Sequence, residues 1–317
     1  VFLMSAAFPD SGSASNRPVP VSSDPLKSVF DKGSAGYARA DGRRSGLERP
    51  EPVEVRVDVA YPARMYDYYL GGKDNFPVDR DAAEKALTAF PNLRTTAAEN
   101  RAFMRRATAY LTRAGYRQFV DIGTGIPTRP NLHEIAQGIA PDTRVLYVDN
   151  DPKVLAYARA LLTSSPEGRT AYLAADLREP ADILNAPALD ETIDLDTPVV
   201  LSLVAVTHFL PDDTNPHAIV TTLLDTLPAG SALMLSHITA DFDPDPMTNL
   251  VATYQNAGIP IQARSHAEIT AFFHSLDLID PGVVSCHRWK PDPDTPTADI
   301  PADATVSCYA AVGRLPR

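Results

Sequence analysis

Phe119-Val-Asp-Ile-Gly-Thr-Gly125 decides how this chain folds. A short apolar strand runs into a turn with two glycines. Two stretches of similar design follow: Val145-Leu-Tyr-Val-Asp-Asn-Asp151 and Tyr172-Leu-Ala-Ala-Asp-Leu177. Each opens as an apolar strand and closes in small or acidic residues. Strands of this kind, alternating with helical segments, build a parallel sheet with helices on both faces. Ligands of such sheets sit beyond the carboxyl ends of the strands. Here those ends carry a glycine turn and then two acids, a surface suited to a nucleoside.

Working outward, strands are expected at 117–122, 144–149, 170–175, 198–206, 230–237, 283–289 and 305–312, with helical segments between the first five. The fourth, Pro198-Val-Val-Leu-Ser-Leu-Val-Ala-Val206, is apolar on both faces, as a central parallel strand should be. Between the last two there is only Pro-Asp-Pro-Asp-Thr-Pro turn chemistry at 291–296, so they read as an antiparallel hairpin at the sheet edge. The expected fold is therefore α/β and Rossmann-like, a seven-stranded, mostly parallel sheet closed by an antiparallel C-terminal hairpin. A dinucleotide-binding sheet more often continues parallel.

Before the sheet, the pattern predicts helices over 62–70, 79–87 and 95–114. The first opens with Pro62 and stops at Gly71-Gly72; the third repeats Phe103, Ala107, Tyr110 and Leu111 at helical spacing and ends at Gly115. Residues 58–115 thus read as an N-terminal helical cap and 116–317 as the sheet domain. Residues 1–57, rich in Ser, Pro, Gly, Ala, Asp and Arg without apolar period, read as a disordered tail. An insertion at 241–264, holding Met247, Leu250, Tyr254 and Ile259, precedes a helix expected over Ser265–Leu276 and is a possible lid over the sheet's carboxyl edge.

The 317 residues are 44% hydrophobic, enough for a substantial core, and carry a net charge of −11. Such a chain repels phosphate backbones, and its basic clusters, Arg101 with Arg105 and Arg106, and Arg43-Arg44, are small. No nucleic-acid partner is expected. Two cysteines, Cys286 and Cys308, make neither a disulfide framework nor a metal cluster and read as buried thiols. No apolar run approaches a membrane span, and no basic region precedes the apolar Val1-Phe-Leu-Met start, so the expected location is cytoplasmic.

Candidate ligand residues follow from the strand ends. Gly123 and Gly125, with Asp121 and Thr124 in the same segment, allow a tight turn where a Cβ would collide with a ligand. A dinucleotide fingerprint wants glycine or alanine where this chain has Thr128, and Pro127 and Pro130 delay the next helix to about Asn131. That weakens pyrophosphate geometry. A nucleoside ligand without a pyrophosphate does not need it. Asp149, with Asn150 beside it, is placed to accept from both ribose hydroxyls; Asp151-Pro152 reads better as a helix cap and first turn, with Asp151 the alternative ribose contact. Asp176 is placed to accept from the adenine amine while the Leu177 backbone addresses the ring edge, or else Asp176 is a plain helix cap. His208, in Thr207-His-Phe-Leu210 after the fourth strand, reads either as a general base or as a structural histidine. His237 has the same topology, and His133 is a helix residue near the site. In Arg64-Met-Tyr-Asp-Tyr-Tyr-Leu-Gly-Gly-Lys-Asp-Asn-Phe76, aromatics such as Tyr69 offer stacking faces and Lys73 and Arg64 can meet a carboxylate; the same block also reads as a helix C-cap with surface charges.

Tyr66-Asp-Tyr-Tyr-Leu-Gly-Gly-Lys-Asp-Asn-Phe76, Asn100-Arg-Ala-Phe103, Phe119 through Thr128 and Tyr147-Val-Asp-Asn-Asp-Pro152 together resemble an S-adenosyl methyltransferase family long catalogued as a domain of unknown function. The likeness covers roughly Ala60 to the C-terminus. It implies a class I methyltransferase fold that binds S-adenosylmethionine. A looser similarity to carboxyl and polyketide methyltransferases, in Gly123-Thr-Gly-Ile-Pro-Thr-Arg129 and Leu210-Pro-Asp, implies that Arg101 meets the cofactor's carboxylate, with Lys73 behind it. The expected acceptor is a small molecule between the N-terminal helices, the 207–212 loop and the 241–264 insertion. Rival readings are a cofactor-binding regulator without catalysis and an NAD-dependent oxidoreductase sharing Asp149. A nucleic-acid methyltransferase would want an aromatic-proline tetrad where this chain has Thr207-His-Phe-Leu210.

Overall fold

Three helices precede the sheet in the computed structural model, which describes residues 56–316 apart from 162, 293, 295 and 297–299. They are α1 (Pro62–Tyr69), α2 (Pro77–Ala89) and α3 (Leu93–Arg113). The expected tail lies, up to residue 55, outside the described residues. One buried side chain starts two of these helices: Asp79 accepts from the amides of Tyr61 (2.9 Å) and Phe76 (2.8 Å), the N-caps of α1 and α2. The second helix begins earlier than expected because Pro77, lacking an amide, fits the first helical position.

The sheet follows. Parallel strands β1 (Gln118–Ile122), β2 (Arg144–Asp149), β3 (Arg169–Ala174), β4 (Val200–Val204) and β5 (Ala232–Ile238) are linked by α4 (Leu132–Ile139), α5 (Pro152–Leu161), α6 (Pro180–Leu184), α7 (Pro187–Thr192) and α8 (Pro216–Asp225). After β5 come α9 (Pro244–Asn256), α10 (His266–Ala271), β6 (Asp277–Leu278), β7 (Val284–Ser285), α11 (Asp303–Val306) and β8 (Cys308–Arg314). The order is β3-β2-β1-β4-β5-β8-β6, with β7 also on β8, and β8 runs antiparallel to β5 along its whole length. The mostly parallel sheet with its antiparallel C-terminal finish is as expected.

The edge differs in detail. The strand expected over 283–289 is only Val284–Ser285, because Cys286–Arg288 turns as a 3-10 helix. A separate two-residue strand, β6, pairs with the far end of β8. Between the pieces lie Pro281, which has no amide for a ladder, and Gly282 in a left-handed conformation. The helix expected to reach Leu276 stops at Ala271, having started from a capping box in which Ser265 and Glu268 bond each other's backbone amides.

Strand alternation divides the core. Val120 and Ile122 join Leu146, Val148, Leu201, Leu203, Leu233 and Leu235 on the face covered by α6, α7, α8 and α10. Phe119 joins Val145, Tyr147, Val200 and Met234 on the face covered by α3, α4 and Trp289. A third apolar layer unites Met65, Tyr69, Ala83, Ala86 and Phe90 of the N-terminal helices with Met247, Leu250, Tyr254, Ile259 and Ile261. The insertion therefore packs on α1 and α2, and together they stand over the carboxyl ends of the strands.

Candidate functional site

Those strand ends open into a cavity of about 410 Å³. Gly123, Thr124, Gly125, Asp149, Asn150, Asp176 and Leu177 line its sheet side. Gly123 has φ of 75°, and a Cβ there would lie 2.5 Å from the Val206 side chain. The close approach of Val206 after β4 thus requires glycine here. Thr124 closes the turn by donating its hydroxyl to the Asp121 carbonyl (2.9 Å).

Asp149 is the best-fixed group at the rim. Its Oδ2 accepts from the Gly125 amide and its Oδ1 from the Asp151 amide, both at 2.9 Å. Each oxygen keeps a further lone pair for a hydroxyl. Burial pushes its pKa up to about 6, against the pull of those two amides. Asp151, the alternative contact, also lines the cavity but is already engaged within the protein. It is 1% exposed and forms a bidentate pair with Arg64, Nε to Oδ2 and Nη2 to Oδ1 both at 2.9 Å. It also caps α5 by accepting from the Lys153 amide (2.9 Å), the role its place before Pro152 implies. Arg64, read from sequence as free to meet a ligand carboxylate, meets this one.

Asp176 reaches the cavity already well supplied with donors. Arg178 donates from its amide, Nε and Nη2, and Asn150 donates Nδ2 at 3.0 Å. The Arg178 bonds lead in bringing its pKa down to about 2. A ligand amine must displace one of these, and the Arg178 side chain, 54% exposed, is the movable one. Asp121 sits deeper, in register with Tyr147 and Ser202. It accepts from Ser202 Oγ at 2.6 Å, and burial raises its pKa to about 6. Arg101, from α3, gives Nη2 to the carbonyls of Thr128 and Pro130, while its buried Nε has no partner. Burial lowers its pKa.

Lys73 is not brought to the site. It is exposed and outside the cavity lining, and the reason lies in its own motif. The Gly72 amide donates to the Asp67 carbonyl (2.8 Å), and Asp67 Oδ2 accepts from the Asp74 amide (2.9 Å) and Asn75 Nδ2 (2.7 Å). A Cβ on Gly72 would lie 1.9 Å from Asp67 Oδ1, so only glycine lets the turn close on that carboxylate. The turn wraps Asp67 and carries Lys73 outward. It also docks on α5: Lys153 Nζ donates to the Asp74 carbonyl (2.7 Å) and lies 3.8 Å from the centre of the Phe76 ring.

Asn100, which the sequence marks only as part of the family likeness, has a definite place in the structure. Its Oδ1 accepts from Ser236 Oγ (2.5 Å), which in turn accepts from the Ala205 amide (2.9 Å); its Nδ2 donates to Tyr66 Oη (2.9 Å). This chain of bonds ties α3 and α1 to the end of β4, where Ala205 holds a left-handed φ of 56°. Sequence reasoning missed Arg264. It is 2% exposed and donates to the carbonyls of Thr207 (3.3 Å) and Leu210 (2.8 Å), to Asp212 Oδ1 (2.7 Å) and to His237 Nε2 (2.9 Å). Gln262 adds a bond from its amide to the His208 carbonyl (2.8 Å).

The loop so clamped carries His208 into the cavity lining. Burial, reinforced by the Arg264 charge, lowers its pKa to about 3, so it is an uncharged imidazole at neutral pH and a weak proton acceptor. Its ring packs against Phe209 and His237, and its buried Nδ1 has no hydrogen-bond partner among the described residues, so that nitrogen does not bond a loop carbonyl. His237 donates from Nδ1 to the Ile238 carbonyl (2.7 Å) while accepting from Arg264, a structural role. His133 is buried in α4, its Nδ1 2.8 Å from Tyr147 Oη, outside the cavity. Tyr69 lines the cavity with its hydroxyl 2.8 Å from that of Tyr254.

Sheet order, antiparallel finish and an acid-lined rim at the parallel strand ends define a class I Rossmann-like methyltransferase. The chain belongs to the S-adenosyl methyltransferase family, whose sequence pattern matches residues 48–316, and its cofactor is S-adenosylmethionine. The structure is similar to that of a DUF574 family protein from Streptomyces avermitilis MA-4680, at 47% identity over 83% of this chain and 100% of that one, with a TM-score of 0.80. It is similar also to a protein from Thermobifida fusca YX provisionally described as a methyltransferase, at 36% identity over 82% of this chain and 96% of that one, TM-score 0.75. No curated protein sequence matches the chain significantly. The family assignment removes the oxidoreductase alternative. Among the described residues, no helix is long and apolar enough to cross a membrane and no acidic, histidine or cysteine cluster is arranged to hold a metal ion.

Proposed function

We propose that the protein transfers the methyl group of S-adenosylmethionine to a small molecule held between the N-terminal helices, the 207–212 loop and the 241–264 insertion. One observation carries this reading: a single cavity is lined both by Gly125, Asp149 and Asp176 and by Tyr66, Phe209, Tyr254 and Ile259. A nucleoside end and an acceptor end are continuous. The rim residues fit the cofactor. Asp149 accepts from the ribose hydroxyls, Asp176 from the adenine amine once Arg178 swings out, and Leu177 walls the ring. The orphaned Nε of Arg101 supplies a donor for the carboxylate.

When bound, S-adenosylmethionine brings a methyl group already activated by a positive sulfur. The chain's own task is to hold the acceptor in line and exclude water, and positioning of that kind lowers a barrier by about 7–11 kcal/mol. A weakly basic His208 is compatible with such a site. Buried free thiols at Cys286 and Cys308 are in keeping with action in the cytoplasm.

Calorimetry tests the reading. S-adenosylmethionine and S-adenosylhomocysteine are expected to bind and NAD is not; binding of NAD alone would overturn it. Cofactor binding with no acceptor ever turned over would favour the regulator. Asp149→Ala should weaken S-adenosylhomocysteine tenfold or more, about 1.4 kcal/mol. The binding should also depend on pH in a defined direction. Ribose hydroxyls donate to the charged carboxylate, and Asp149 titrates near 6, so affinity should fall as pH drops through 6, about tenfold by one unit below that pKa. Asp121 titrates in the same range, so the assignment needs Asp149→Asn, which should flatten the profile. A slope that survives this substitution moves the ribose contact elsewhere.

A further inference from the structure

Away from the rim the cavity changes character. Tyr66, Tyr69, Phe209, Tyr254, Ile259 and Ile261 wall the part bounded by α1, the 207–210 turn, α9 and the 258–261 segment. None carries a charge. His208 is uncharged at neutral pH, and Asn100 is committed to Ser236 and Tyr66. The charged groups of the cavity are assigned elsewhere: Asp121, Asp149, Asp151, Asp176 and Arg178 belong to the sheet side, and Arg101 turns Nη2 to the carbonyls of Thr128 and Pro130 and keeps Nε for the carboxylate of the cofactor. An ion placed in the aromatic end would leave water without a counter-charge, which is costly, and ring faces offset that cost only in part and only for a cation.

The same end holds an unmet donor. Tyr69 and Tyr254 are each 5% exposed, and burial keeps both phenols protonated. Their hydroxyls are 2.8 Å apart, so one donates to the other. The second hydroxyl hydrogen has no acceptor among the described residues. Tyr66 differs: its hydroxyl donates to the Ala97 carbonyl (2.9 Å) and accepts from Asn100. A buried donor left unpaired destabilises the site until an acceptor atom arrives.

We infer that the methyl acceptor is an uncharged, ring-bearing small molecule whose oxygen or nitrogen accepts from the Tyr69–Tyr254 hydroxyl pair. The inference rests on the methyl-transfer reading, since it is the cofactor that occupies the charged end. The rings of Phe209 and Tyr254, inclined at 33° with centroids 6.4 Å apart, give a flat apolar molecule faces and edges to pack on.

The test uses the full chain loaded with S-adenosylhomocysteine and three probes sharing one ring system: naphthol, naphthoate and naphthylmethylammonium, titrated by calorimetry at neutral pH. Naphthol is expected to bind at least tenfold more tightly than either ion. Tyr69→Phe combined with Tyr254→Phe should weaken naphthol tenfold or more while S-adenosylhomocysteine affinity stays within twofold, which also shows that the variant is folded. A charged probe that binds as tightly as naphthol overturns the inference. So does undiminished naphthol binding to the double variant, or no naphthol binding to cofactor-loaded protein. Failure of S-adenosylhomocysteine itself to bind is a separate result: it sinks the methyl-transfer reading and this inference with it.

Discussion

Asp151→Ala is expected to destabilise the fold by about 3–5 kcal/mol, the usual cost of removing one partner from a buried ion pair. Arg64 and Asp151 side chains are 1% and 2% exposed, and both of their bonds measure 2.9 Å. Alanine leaves the Arg64 guanidinium charged, dry and facing the rings of Tyr61 (4.4 Å) and Phe76 (5.2 Å), which compensate only in part. It also removes the α5 cap at the Lys153 amide. Asp151→Asn separates the two effects, since the amide oxygen keeps the cap and loses the charge. Replacing both partners, Arg64→Met with Asp151→Leu, should recover much of the loss, because an apolar pair has no desolvation to repay. Denaturant unfolding followed by circular dichroism measures all three, and a loss under about 1 kcal/mol for Asp151→Ala would mean that water reaches the pair. The functional weight is positional. This pair and the Lys153–Asp74 bond fasten α1 and the turn after it to the end of β2 and the start of α5, beside the Asn100–Ser236 link to β4.

The pair also marks the boundary of what the sequence makes legible. Strand-to-helix alternation, the glycine turn at 123–125 and the antiparallel finish are local patterns, and the structure follows them. Arg64 and Asp151 are separated by 87 positions, and Asn100 and Ser236 by 136. No spacing rule connects residues so far apart. The Gly-Gly-Lys-Asp-Asn block is legible as unusual but not as a turn folded on Asp67, so the sequence does not show that Lys73 stands outside the cavity lining. At the sheet edge, Val283, Ser285, Cys286 and Trp289 are all buried although only Val284–Ser285 pairs as strand. Apolar runs report burial rather than ladder bonds, which is why 283–289 looked like a full strand. For His208 the topology was legible and the basicity was not, since its pKa follows from enclosure and from Arg264, itself distant in sequence.

Arg264→Met should cost about 3 kcal/mol or more, because the Thr207 and Leu210 carbonyls and His237 Nε2 each lose a buried donor worth about 1–3 kcal/mol when left unmet. The Asp212 contact adds little to this sum, since that carboxylate is 67% exposed. Arg264→Lys should fall between, as one ammonium cannot span all three acceptors. The loop is not set free outright, because Gln262 still holds the His208 carbonyl and bonds Asp212 through its side chain (2.8 Å). Faster hydrogen exchange confined to 207–212 is therefore expected beside the lower unfolding midpoint. Losing the guanidinium also removes one of the two causes holding down the His208 pKa, so an NMR titration should find it above about 3 while burial still keeps it below an ordinary histidine. S-adenosylhomocysteine affinity should change little, since none of these bonds touches Gly125, Asp149 or Asp176. An unchanged midpoint in Arg264→Met would show that the loop holds its shape by packing alone, and the aromatic end of the cavity would then owe its form to Phe209 and Tyr254 rather than to this buried cation.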